Sequence, residues 1–490
     1  MKYLSTRNKN LSASSSMCIL EGLSKEGGLF FFDSIPSLDL NECLKMNYLE
    51  LAIEVLKKFL TDFSEEEISA CVHNAYDDSF DTEEITPIVK VKENWILELF
   101  HGPTSAFKDV ALQILPHLLT TSLKIQKSDQ KILILTATSG DTGKAALEGF
   151  KDVENVKIMV FYPKDGVSEI QKKQMVTTKG NNCYVLGVDG NFDDCQKAVK
   201  QCFTDEDLIN ILSDHNTQFS SANSINVGRL LPQIVYYVKS YLDLVRRHEI
   251  EMNEKINVSV PTGNFGNILA GYIAKQMGVP IEKFICASNE NNVLTEFIQT
   301  GIYNANRTFV KTNSPSMDIV VSSNLERLLY WLSQDDALTA QMMTSLKEKG
   351  QYEISLSMKE KLQKEFYASC VTQKETEEMI QKVYEEDHYL MDPHTAVAYK
   401  ALLDFKKENI NSYKTVVCAT ASPYKFMDTV MKSIDSTSED EFEMIERCEK
   451  LTNVKIPKNL KNLKNETVRH HKNITIDEIK EEVIRVVSHD

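Results

Sequence analysis

The sequence contains no long apolar run. No stretch is continuous enough to span a bilayer, and the opening MKYLSTRNKNLSASSS lacks the hydrophobic centre of a secretion signal, so a soluble cytoplasmic protein with no membrane partner is expected. Paired cysteines are missing as well. Ten are scattered through apolar surroundings such as FICAS and VVCAT without one CxxC, which excludes a zinc ribbon or thioredoxin-type site and predicts reduced, buried thiols. The ten histidines are equally dispersed, and His470-His471 lies in a charged segment rather than at i, i+4 on a helix, so no metal site is expected. Positive charge is scarce: 55 Lys and Arg against 71 Asp and Glu leave a net charge of −16. That balance argues against nucleic acid as a partner, while leaving room for a local basic pocket around an anionic metabolite. Two nucleotide signatures are absent. TSGDTGKAA (138–146) has Thr138 where a P-loop needs its first glycine and Ala145 where it needs Ser or Thr, and no GxGxxG follows a strand.

What is present is an alternation of strands and helices. KILILTA (131–137), VKIMVFYP (156–163), INVSVP (256–261) and KTVVCATA (414–421) are continuous apolar runs, each followed by a helical pattern. Strands apolar on both faces imply parallel sheets covered by helices on both sides, so the fold class is α/β. At 490 residues the chain exceeds one core, and two or three domains are expected. Residues 1 to about 90 predict a mainly helical N-terminal domain; 436–490, charge-rich and poor in aromatics, predict a peripheral helical tail.

Three of the strands end in small-residue turns that open into helices: TSGDTG (138–143), PTGNFGN (261–267) and TASP (420–423). In an open parallel sheet, ligands bind beyond the carboxyl ends of the strands, where helix N-termini offer N–H groups to anions. GNFGN is the best phosphate cup: Gly263 and Gly266 permit close backbone approach, and Asn264 and Asn267 tolerate left-handed geometry. An ordinary strand-to-helix turn has the same composition. A second feature is Lys108 in ELFHGPTSAFKDVALQIL. From Phe107 to Leu119 the apolar spacing predicts one amphipathic helix, capped by Thr104 or Ser105. Lys108 then sits in the first turn, where the dipole disfavours a cation and favours a neutral, nucleophilic amine. The bland alternative is a solvent-facing lysine beside Asp109.

A lysine amine, a separate phosphate cup and a turn rich in hydroxyls together suit pyridoxal phosphate. The ordered series ELFHGPTSAFKD, LTATSGDTGKAA, SSANSINVGR, VPTGNFGNILAGY, SPSMDI, DPHTAVAY and TASPYKF, with the N-terminal YLSTRN and GLSKEGGLFF, resembles the threonine synthase family over nearly the whole chain. The resemblance implies a pyridoxal-phosphate enzyme of fold type II. Its large domain would comprise 91–127 and 241–435, and a small mobile domain 128–240. It implies that Lys108 carries the cofactor and that Gly263, Asn264, Phe265, Gly266 and Asn267 hold its phosphate. Ser139, Gly140, Asp141 and Thr142 would meet the substrate carboxylate, with Asp141 standing where many relatives have asparagine. Asn223, Ser224, Asn226 and Arg229 would lie near the substrate, and Lys164 and Ser168 are further candidates for its phosphate. Thr420 or Ser422 would face the pyridine nitrogen, and which of the two does so is left open. The implied reaction turns O-phosphohomoserine and water into threonine and phosphate. A phospholyase acting on phosphothreonine or phosphoserine, or a non-catalytic binder, would share much of this site. The oligomeric state is not legible.

Overall fold

The computed structural model describes residues 1–138, 140–409, 413–438 and 440–488. It is an α/β molecule built on two large open sheets, with two small antiparallel ones beside them among the described residues. The larger sheet has six strands in the order Phe366–Cys370, Ile281–Ser288, Ile256–Pro261, Thr415–Ala419, Asn94–Glu98, Ile88–Val91; all neighbours run parallel except the last pair. Every residue of Ile256–Pro261 and Thr415–Ala419 is buried, the consequence of helices packed on both faces. The smaller sheet has five parallel strands in the order Asn473–Thr475, Cys183–Asp189, Val156–Pro163, Lys131–Ala137, Thr217–Ser220. No helix among the described residues is long and apolar enough to cross a membrane.

Three local expectations need correction. The N-terminal region carries helices such as Tyr48–Phe59 and Glu65–Ala75, each opened by a capping box, but it also folds an antiparallel sheet from Tyr3–Ser5, Asn8–Ala13 and Phe30–Phe32. The segment after 436 is not only helical: Asn473–Thr475 adds an edge strand to the smaller sheet. The helix after Lys108 is two helices, Lys108–Leu112 and Leu115–Ile125, the second with Pro116 in its first turn, where a missing N–H costs nothing.

Candidate active site

The three central strands of the larger sheet, Ile256–Pro261, Thr415–Ala419 and Asn94–Glu98, are neighbours, so their carboxyl ends deliver three turns to one place. The turn after Asn94–Glu98 is stitched to the turn after Thr415–Ala419: Phe107 N donates to the Thr420 carbonyl (2.8 Å), Ser422 N donates to the Ser105 carbonyl (3.0 Å), and Ala106 bridges Ala421. Lys108 and the pair Thr420 and Ser422 therefore share one pocket wall. Neither Thr104 nor Ser105 caps the helix. Thr104 instead donates its N–H and hydroxyl to Asp109 (2.8 and 2.6 Å), and Ser105 adopts a left-handed φ of 59°. Asp109 is fully buried rather than solvent-facing. The side chain of Lys108 is only 13% exposed; burial pushes its pKa down to about 8, Asp141 opposing the fall while Lys425 and Arg229 reinforce it.

His101 anchors the start of this turn, with its ring nitrogens on Asp81 (2.5 Å) and Glu98 (2.9 Å). Burial opposes its charge, but the two carboxylates raise its pKa to about 9. Because that folded value lies above the unfolded value of about 6.5, the stabilisation is complete below that pH and is lost as pH rises through 9. The melting-temperature gap between the wild type and His101→Gln is accordingly expected to shrink between these two limits. A gap independent of pH would show that the imidazolium does not contribute.

In the glycine cup, the left-handed residue is Phe265, at φ 62°, and not Asn264 or Asn267. Left-handed geometry costs a non-glycine residue about 1 kcal/mol or more, and burial of its ring against Phe366 holds it there. The glycines serve close packing: a Cβ on Gly263 would lie 2.8 Å from the Ser316 carbonyl oxygen, and one on Gly266 3.3 Å from Asn324 Nδ2. Asn267 lies in the following helix, its Oδ1 accepting from Tyr236 and Tyr237 (2.6 Å each), while its buried Nδ2 has no partner among the described residues.

The stretch SSANSINVGR opens the helix Val227–Arg246. Asn226 is entirely committed to the protein: its Oδ1 caps Gly228 N (2.8 Å) and its Nδ2 holds the Ile19 and Ser221 carbonyls, so it is not free for substrate. Ser224 Oγ accepts from Asn324 (3.2 Å) next to the cup, and Asn223 lies at the half-exposed turn before the cap. Arg229 is different. Only 3% exposed, in the first turn of a helix, it spends one nitrogen on the Ala222 carbonyl (2.9 Å), and its buried Nε has no partner among the described residues. Burial pushes its pKa down to about 10. A buried cation without a carboxylate partner is costly unless an anion occupies the adjacent space.

On the smaller sheet, Ser139 lies outside the described residues. Gly140 takes a φ of 138°, and its missing Cβ leaves room for Gln171. Thr138 Oγ1 accepts from Gly140 and Gly143 N–H (3.0 and 2.9 Å), and among the described residues no acceptor takes the N–H groups of Asp141 and Thr142, which open helix Asp141–Phe150. The Asp141 carboxylate is unsuited to receive another carboxylate. It is buried, bonds Lys425 (2.7 Å) and Gln171 (2.9 Å), and lies 3.9 Å from Lys108. Burial would raise its pKa, but Lys425 and Lys108 hold it well below the usual carboxylate range. Lys164 is not brought into the pocket: its amine lies at the surface, paired with Asp189. Ser168 is the N-cap of helix Glu169–Val176, which presents Gln171 to Asp141.

Sequence reasoning missed the scaffold behind the cup. Asn324 donates from its backbone and its Nδ2 to the Asn264 carbonyl (3.0 Å each), while Arg327, fully buried, bonds Asn324 and the Phe30 and Ile225 carbonyls. His394 Nε2 accepts from Ser316 N (3.1 Å), the residue against Gly263, and its Nδ1 donates to Asp392 (2.7 Å). No local signal marks Asn324 and Arg327, because the carbonyls they hold lie far along the chain, whereas His394 lies within DPHTAVAY, two residues from Asp392. Lys425 lies within TASPYKF, but its spacing points to no role until the fold sets it beside Asp141.

A lysine whose pKa is pushed down to about 8, a cup packed tightly at its glycines and an arginine short of an anion fit a cofactor that joins an aldehyde to a phosphate, and residues 80–421 match the family described as pyridoxal-phosphate dependent enzyme. The chain thus belongs to the family of pyridoxal-phosphate dependent enzymes. Its flanks narrow the class: residues 2–76 match the threonine synthase N terminus, and residues 395–474 match the threonine synthase C-terminal family. The chain belongs to the threonine synthase family. It is 36% identical over 513 residues to threonine synthase of Saccharomyces cerevisiae, covering 97% of this chain and 98% of that one. It is 39% identical over 434 residues to human threonine synthase-like 1, covering 86% of this chain but only 58% of the length of that relative. The crystal structure of pyridoxal-phosphate-bound threonine synthase from Brucella melitensis superposes with a TM-score of 0.88 at 34% identity, covering 99% of both chains.

Proposed function

We propose that the protein converts O-phosphohomoserine and water into threonine and phosphate in the cytoplasm. The observation that carries this reading is Arg229, a buried guanidinium with a spare donor near a lysine whose pKa is pushed down to about 8, which suits a substrate bearing its own anion. In this reading Lys108 carries the cofactor, and the backbone of Gly263 to Asn267 holds its phosphate. The bound cofactor supplies an electron sink beside the substrate amine. Lys108, with a pKa near working pH, takes a proton at Cα and delivers one later in the sequence. The N–H groups of Asp141 and Thr142 orient the substrate carboxylate, and Arg229 stabilises the phosphate as it leaves Cγ. Water then adds at Cβ. Closure of the unit around the smaller sheet, residues 128–240, keeps water out until that step.

The test is product analysis. Threonine and phosphate are expected in equal amounts from O-phosphohomoserine, with only slow keto-acid formation from phosphothreonine. If phosphothreonine has the higher kcat/KM and phosphohomoserine yields no threonine, the protein is a phospholyase.

Two variants probe the cofactor contacts. Gly263→Ala places a methyl group against the Ser316 carbonyl, so the cup must shift. Loss of one charge-assisted bond at about 1.5–3 kcal/mol weakens cofactor affinity by roughly 10-fold to 100-fold, measured by absorbance titration. Unchanged affinity would place the phosphate elsewhere. Ser422 Oγ is engaged as the cap of Tyr424 N (3.4 Å), whereas the Thr420 hydroxyl makes no hydrogen bond among the described residues. Thr420→Ala is therefore expected to shift the cofactor absorption band and Ser422→Ala to leave it in place; the reverse pattern would assign the ring contact to Ser422.

A further inference from the structure

Asp141 poses a problem within the proposed function. A carboxylate in the pocket beside Lys108 would, by pairing with the ammonium, oppose the deprotonation that cofactor attachment needs. The structure shows what prevents this. Asp141 opens a helix of the smaller sheet, and its Oδ1 is drawn away from Lys108 by two donors, Lys425 Nζ at 2.7 Å and Gln171 Nε2 at 2.9 Å. Its other oxygen is left 3.9 Å from Lys108 Nζ, beyond hydrogen-bond range. Lys425 follows the last strand of the larger sheet, is fully buried, and is itself fixed by donating to the Thr104 carbonyl (2.9 Å), three residues before Phe107. Thr104 in turn holds Asp109, so the fixed point of Lys425 is the turn that carries Lys108.

We propose that Lys425 is a positioning residue that holds the Asp141 carboxylate off Lys108 and so keeps the Lys108 amine available to the cofactor. The attachment itself is redox-neutral: the neutral amine nitrogen takes the place of the aldehyde oxygen, which leaves as water. The charged groups facing Lys108 are Asp141, Lys425, Arg229 and Asp109. Removing Lys425 leaves Asp141 buried with Gln171 and, among the described residues, one cation beside it, Lys108. A shift of about 1 Å then completes an ion pair that traps the ammonium. The inference rests on Lys108 as the attachment site.

The experiment measures, in wild type, Lys425→Met, Asp141→Asn and the double variant, the pH midpoint of cofactor attachment, read by absorbance and by borohydride trapping with peptide mapping. Trapping on Lys108 in the wild type verifies the attachment site independently; trapping elsewhere would sink the proposed site before Lys425 is tested. Lys425→Met is expected to raise the midpoint by about one pH unit or more, the usual effect of an opposite charge within contact distance. The double variant is expected to return it to or below the wild-type value, because the competing carboxylate is gone. If Lys425→Met is unfolded by circular dichroism, the double variant and Asp141→Asn decide: both must attach cofactor at a midpoint no higher than wild type. A raised midpoint in the double variant, or an unchanged one in folded Lys425→Met, overturns the inference.

Discussion

Lys108→Ala is expected to bind pyridoxal phosphate without becoming joined to it and to lose activity by at least about 10³-fold, since one residue would otherwise both attach the cofactor and move the substrate protons. The expectation follows from position and environment together. Lys108 begins a helix, is almost enclosed, and is flanked by two further cations, all of which favour the amine over the ammonium. Borohydride treatment should leave the wild-type protein with a cofactor adduct on the Lys108 peptide and the variant with none. An adduct on another lysine, or a variant that turns over within tenfold of wild type, would remove Lys108 from the chemistry. The cup should survive the substitution, so cofactor affinity measured by dialysis is expected to fall much less than activity.

Arg229→Met should reduce kcat/KM for O-phosphohomoserine by roughly 100-fold, the loss of one or two charge-assisted bonds at about 1.5–3 kcal/mol each. Methionine retains the volume and lacks only the charge and donors. The change is informative in its distribution: a rise in KM alone means that the guanidinium binds the substrate anion equally in ground and transition states, and a fall in kcat means that it mainly assists departure of phosphate. In the free enzyme the variant should be no less stable, because it removes a buried cation whose Nε has no partner among the described residues. A large loss of stability with little loss of kcat/KM would instead assign Arg229 to holding the Ala222 carbonyl.

By itself the sequence determined the α/β class, the strands Ile256–Pro261 and Thr415–Ala419, the glycine cup and the turn carrying Lys108. Each of these is a near-neighbour property: a strand buried on both faces reads as a continuous apolar run wherever it ends up, and small residues between a strand and a helix mark a turn whatever lies opposite. The family resemblance, built on ordered motifs, added the chemistry. Only the tertiary structure decided how the polar side chains are spent. Asn226 looks like a substrate ligand until its three partners, Ser221 in its own loop, Gly228 in the helix it caps and Ile19, are in place. Lys164 looks like a phosphate ligand until Asp189 meets it at the surface. The left-handed residue of the cup is the phenylalanine, because a buried ring packed on Phe366 outweighs the local preference of asparagine. The edge strand Asn473–Thr475 is too short and too polar to show any periodicity, and it exists because Cys183–Asp189 offers it an open edge. The pairing of Asp141 with Lys425, across 284 positions of sequence and between the two sheets, is of the same kind. A buried charge has to find a partner somewhere, but which partner it finds depends on how the elements pack.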